Sequence, residues 1–133
     1  MDNWIPFAEG EYRVDQALLL ADNQRAVTVE DAVVEIYGDS RGRRYLKGRG
    51  RIRNILMIEL LESSDDLDLL LDFGDEYKYV LVQPKLQSGK VFSPDVKSVL
   101  QFVPDTPWRQ LQPDEFKALM SELQIIQAPR QPD

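Results

Sequence analysis

The sequence predicts a mainly β fold, a small antiparallel barrel or sandwich with one C-terminal amphipathic helix. Three observations carry this. Turn-forming clusters recur at short intervals, among them Gly38-Asp39-Ser40, Ser63-Ser64-Asp65 and Ser93-Pro94-Asp95, as in antiparallel β domains. The central residues alternate between apolar and polar. A stripe of helical period stands out near the C-terminus. With 133 residues, seven Gly, eight Pro and 43% apolar residues, the chain has the composition of an ordinary globular domain. One unit over residues 1–127 is expected, with 128–133 as a frayed tail.

The first 40 residues admit two readings. Tyr12, Val14, Leu18 and Leu20 alternate, with Gln16 breaking the pattern, while Ala17–Ala21 is helix-friendly. Val29, Ala32, Val33, Ile36 and Tyr37 fit a helix face, and Thr28 with Asp31 resembles a capping box. The same stretch is rich in β-branched residues and runs into a Gly-Asp-Ser-Arg-Gly turn, which favours a strand over 33–37. The alternative is an α+β fold with a further helix here.

From Arg43 the alternation is long. Leu46, Gly48, Gly50, Ile52, Asn54, Leu56, Ile58 and Leu60 share one face; Arg43, Tyr45, Lys47, Arg49, Arg51 and Arg53 share the other. A second run places Leu67, Leu69, Leu71 and Phe73 together. A hairpin pairing Leu60 with Leu67, Ile58 with Leu69 and Leu56 with Leu71 would bury both apolar sets. A flat strand over 43–60 would extend ~59 Å at 3.3 Å per residue, so it must bend, and Gly48 and Gly50 are the expected place. A bent strand with internal glycines resembles the strands of small barrels such as OB and SH3-like folds, a likeness of pattern that carries no function. Further strands are expected at 77–83, around Val91 and at 97–103. Pro113 suits a first helical position, Asp114 and Glu115 the positive helix end, and Phe116, Leu119, Met120 and Leu123 form one apolar stripe. These predict a helix over about 113–125. Trp108, just before it, is expected in the core where helix meets barrel.

The charge layout is the most informative functional feature. The net charge is −7, which disfavours generic nucleic-acid binding. Yet residues 41–53 hold seven bases and no acid, and residues 54–76 hold eight acids and no base. Arg43, Tyr45, Lys47, Arg49, Arg51 and Arg53 form a basic stripe with same-face spacing of about 6.6 Å. That spacing and one aromatic suit a protein partner, or a single-stranded nucleic acid or other polyanion. The hairpin would set Arg51 opposite Glu76 and so neutralise part of the stripe with the acidic strand Asp66–Glu76. Asp65, Asp66 and Asp68, near Glu62, are the only candidate carboxylates for a divalent cation, but the EF-hand spacing is absent.

The chain has no Cys and no His. That excludes thiol and imidazole catalysis, disulfides and Cys/His zinc sites. No P-loop, nucleophile elbow or dinucleotide fingerprint is present. A small carboxylate hydrolase is the remaining enzymatic alternative. The expectation is therefore a non-catalytic cytoplasmic binding or assembly module, without cofactor or membrane insertion. Single-stranded nucleic-acid binding is the alternative.

Overall fold

The computed structural model describes residues 4–22, 24–63, 66–88 and 97–126. In chain order the elements are β1 (Gly10–Arg13), β2 (Gln16–Ala21), β3 (Arg25–Gly38), β4 (Arg44–Arg53), α1 (Asn54–Ser63), β5 (Leu67–Asp72), β6 (Lys78–Leu81), β7 (Lys85–Ser88), β8 (Lys97–Val103), β9 (Arg109–Gln110), α2 (Pro113–Glu122) and β10 (Gln124–Ile125). The sheet runs β7-β8-β4-β3-β2-β5-β6-β9, with β1 and β10 also on β3. It curls into a half-barrel, so the mainly β expectation with a C-terminal helix holds.

Strand β3 joins the two halves of the curl. Its first part pairs with β2, its second with β1 and β4. Between them Asp31 has a φ of 52° and the β3–β4 register shifts. The inserted residue swaps which side chains face inward: Val27 and Val29 before it, Ala32, Val34 and Ile36 after it are buried. That phase change explains why this stretch imitates a helix face in sequence. The neighbouring strand swaps at the same level. Val14 is buried on one side of the break, Ala17, Leu19 and Ala21 on the other, and Gln16 marks the junction. No helix forms in the described part of the first 40 residues, so the α+β alternative does not hold.

The apolar run at 17–21 reflects burial on both faces. Ala17, Leu19 and Ala21 join the inner core, while Leu18 and Leu20 join a second cluster with Ala26, Leu70, Val80 and Leu111. The stripe of α2 (Phe116, Leu119, Met120, Leu123) covers that cluster. Each leucine buried this way contributes about 1.5–3 kcal/mol. Helix α2 thus lies across the outer face of β2, β5 and β6. At its start the Glu115 carboxylate accepts the Gln112 backbone N–H at 3.1 Å and a hydrogen bond from Arg109 Nη1 at 2.7 Å. The helix stops at Glu122 rather than near 125. Gln124 and Ile125 turn into β10, parallel to Arg25 and Ala26 of β3.

Three expectations are corrected. The strand from Arg43 ends at Arg53, and 54–63 is a helix. Asn54, Met57 and Leu60 recur at intervals of three, and all three are buried. The expected hairpin therefore does not exist: β5 pairs with β2 and β6, and β4 with β3 and β8. The bent strand shared between sheet halves is β3, and Asp31, not Gly48 or Gly50, marks its bend. Trp108 is in the core as expected, within the inner cluster rather than the one that α2 covers. It stacks on Tyr79 at 4.1 Å and meets Trp4 edge-on at 5.3 Å. The strand expected at 97–103 matches β8, and that at 77–83 contains β6. The strand expected around Val91 and the tail from 128 lie outside the described residues.

Gly48 and Gly50 serve close packing. A Cβ on Gly48 would sit 2.1 Å from Cζ of Phe102, and one on Gly50 would sit 2.4 Å from Cγ1 of Val29. Gly48→Ala should cost about 1–3 kcal/mol by overpacking. Adding Phe102→Leu, which withdraws the clashing ring, should recover part of the loss. Urea unfolding of the single and double variants measures both.

Candidate functional site

The half-barrel buries one outer face and leaves the other bare. On β2, β5 and β6 the outside is under α2. On β1, β3, β4, β8 and β7 the outward residues remain accessible, and register places them side by side. Lys47 lies opposite Glu35, Arg51 opposite Glu30 on one neighbour and Val99 on the other, and Arg53 opposite Lys97. Arg13 opposes Val33, and Lys85 opposes Val103. Among the described residues the face therefore gathers seven bases (Arg13, Lys47, Arg49, Arg51, Arg53, Lys85 and Lys97) against four acids (Glu11, Glu30, Asp31 and Glu35). On a chain of net charge −7, this is a local reversal of sign.

The stripe is intact as a row on β4, with its inner-facing partners Leu46, Gly48, Gly50 and Ile52 buried beneath it. Arg43 precedes the strand, at the tip of the β3–β4 hairpin. The expected neutralisation by the acidic strand does not occur, because β5 lies elsewhere in the sheet. The compensating acids come from β1 and β3 instead. Lys47 Nζ lies 3.4 Å from Glu35, Arg49 Nη2 lies 3.5 Å from Glu11, and Lys97 Nζ lies 2.8 Å from Glu30. With Glu30 held by Lys97, Arg51 and Arg53 have no ion-pair partner among the described residues. Exposed pairs like these are worth about 0–1 kcal/mol each, so a better ligand could displace them at small cost.

Apolar side chains interrupt the charge. Val99 is 50% exposed and Val103 46%, both on the outer side of β8. Tyr37 and Tyr45 sit opposite one another and stack at 5.6 Å and 24°. Lys47 Nζ lies 5.4 Å from the Tyr37 ring centre. The contributions of β1, β7 and β8 were not legible as part of a site, although the alternation of Lys97, Val99, Gln101 and Val103 against Ser98, Leu100 and Phe102 carried the signal.

Asp39 organises the hairpin tip. Its Oδ1 accepts the backbone N–H groups of Arg41 and Arg43 at 2.9 and 3.0 Å, and its Oδ2 accepts the Tyr45 hydroxyl at 3.0 Å. The Arg43 amide, then that of Arg41 and the Tyr45 hydroxyl, hold the Asp39 carboxyl below its ordinary range. Arg44 points away from the stripe, and its Nη1 donates to the Ile5 carbonyl at 3.1 Å.

Asp68 accepts the Gln83 backbone N–H at 3.0 Å from β5, Asp66 precedes that strand, and Asp65 lies outside the described residues. Among the described residues no group of three or more acidic side chains converges as a cation would need. No helix among them is long and apolar enough to cross a membrane.

Because the charged form of Asp39 is favoured by folding, its contribution is present above the ordinary carboxylate pKa. It is lost as pH falls through the lowered value. Acidification through that range, or Asp39→Ala at neutral pH, should speed amide exchange at Arg41 and Arg43 while leaving β4 core amides protected. Hydrogen exchange followed by NMR reads this directly.

No family model matches the chain, and no curated protein or solved structure matches it.

Proposed function

We propose that the chain is a non-catalytic binding module that docks an acidic protein partner on the bare outer face of β3, β4 and β8. One observation carries this reading: the covered outer face is apolar, whereas the uncovered one is basic and studded with half-exposed valines and tyrosines. Basic residues there would steer an acidic surface and set its orientation. Val99 and Val103 would supply the apolar contact that distinguishes an interface from a merely solvated surface.

The same valines weigh against single-stranded nucleic acid, which favours a run of open aromatic platforms beside its phosphate contacts. Here the two tyrosines of the face lie against each other. The absence of Cys and His from the sequence supports a binding role over catalysis, since it removes the commonest general base and nucleophile. A cytoplasmic setting is part of the same proposal.

Fluorescence anisotropy tests the reading with two labelled probes, a peptide of alternating Glu and Ser and an oligothymidylate of equal charge. The wild-type chain should bind the peptide in a salt-sensitive manner and prefer it to the oligonucleotide. Arg51→Glu with Arg53→Glu should weaken peptide binding about tenfold or more, equivalent to at least ~1.4 kcal/mol. Preference for the oligonucleotide would install the nucleic-acid reading. Equal peptide binding by wild type and variant would remove these arginines from the site.

A further inference from the structure

At the tyrosine end of the basic face the surface sinks into a concavity of about 320 Å³. One wall is the β3–β4 hairpin, with Tyr37, Arg43 and Tyr45. The opposite wall is the segment after β8, with Val103, Pro104 and Pro107, and Trp4 closes one side. The lining combines aromatic and aliphatic side chains with the cations Arg43 and Arg44, the acid Asp105 and Thr106. Its size reaches the lower end of the range typical of ligand pockets, about 300–1,000 Å³.

The walls are held by the protein's own contacts. Asp39 fixes the hairpin tip through the Arg41 and Arg43 amides and the Tyr45 hydroxyl. The Trp4 ring rests edge-on against buried Trp108, and the Arg44 bond to the Ile5 carbonyl ties the segment that carries Trp4 to the start of β4. A site already ordered by such contacts loses little conformational entropy when filled.

We infer that this concavity receives a bulky apolar anchor from an extended acidic segment whose carboxylates then lie along Arg49, Arg51 and Arg53. The inference rests on the docking face proposed above and names the chemistry of its partner. Tyr45 belongs both to the pocket wall and to the stripe, so pocket and cationic row are continuous. Charge complementarity along the stripe selects an acidic segment. In the pocket Arg44 is engaged by the Ile5 carbonyl and Asp105 repels a carboxylate, so the aromatic and aliphatic part of the lining selects an apolar anchor. From Tyr45 to Arg51 is six residues of strand, roughly 20 Å. A matching ligand in extended form therefore carries its acids about six residues from its anchor.

Two labelled peptides of about eight residues test this, one with Trp at one end and Glu clustered at the other, the second identical but with Ala for Trp. Anisotropy titrations should show the Trp peptide binding at least ~tenfold more tightly to the wild-type chain. Thr106→Trp, which fills the pocket from the exposed segment after β8, should erase that margin while the Ala peptide still binds. Pro107→Trp on the same segment is the second filling variant should the first fail to fold. Arg51→Glu with Arg53→Glu should weaken both peptides together. Equal affinity of the two peptides for wild type, or a margin that survives pocket filling, overturns the anchor and leaves the docking face standing. Failure of both peptides to bind wild type overturns the docking face and the anchor with it.

Discussion

Strand β3 has to satisfy two half-sheets that face different directions, and it does so by inserting one residue at Asp31. Before the bend its even-numbered side chains point outward and its odd-numbered ones into the core; after it the parity is reversed. The strand alongside follows by breaking between Arg13 and Gln16. Everything else is registered to this pair. β10 and β2 attach to the first half of β3, β1 and β4 to the second, and the inner core from Leu19 to Phe102 closes between them. The cost of a left-handed backbone at a non-glycine residue, of order 1–3 kcal/mol, is offset by burial on both sides of the bend.

The bend also divides the exterior. One half-sheet is apolar on both faces and requires α2 as a cover. The other keeps most of its apolar side chains inward and is mainly charged outside, with Val99, Val103 and the Tyr37–Tyr45 pair set among the charges, because β4 alternates glycine, leucine and isoleucine with arginine and lysine. The glycines let Phe102 and Val29 approach the inner side of β4 closely. Its outer side is thereby left as a smooth row of cations at regular spacing. A chain that is acidic overall presents one basic face, only partly compensated by Glu11, Glu30 and Glu35, and other acids are engaged elsewhere. Asp68 holds the Gln83 amide, Asp72 pairs with Lys78 at 3.4 Å, and Glu115 secures the start of α2.

Much of this was legible locally. β8 and the start of α2 could be read because alternation, Pro113 and the Asp114-Glu115 pair are signals contained within the segment itself. The stripe on β4 was legible for the same reason. Helix α1 was not, since Asn54, Leu56, Ile58 and Leu60 satisfy a period of two while Asn54, Met57 and Leu60 satisfy a helical one. An apolar segment of that length supports both. Its helix-forming residues Leu56, Met57, Glu59, Leu60, Leu61 and Glu62 were the available clue. In the first 40 residues the inserted residue at Asp31 shifted the β phase and produced a false helical face.

By itself, the sequence determined which residues are apolar on β4 and α2, where β8 runs, that imidazole and thiol chemistry are absent, and that a basic block sits inside an acidic chain. Those properties depend on side chains and on neighbours a few positions away. Only the tertiary structure decided what that block faces. Strand pairing is non-local, and β4 could close equally well in pattern against β5 or between β3 and β8. The choice of β3 and β8 placed Glu30, Glu35, Lys97 and Val99 beside the arginines and sent the acidic strand to the other half of the curl, under the cover of α2.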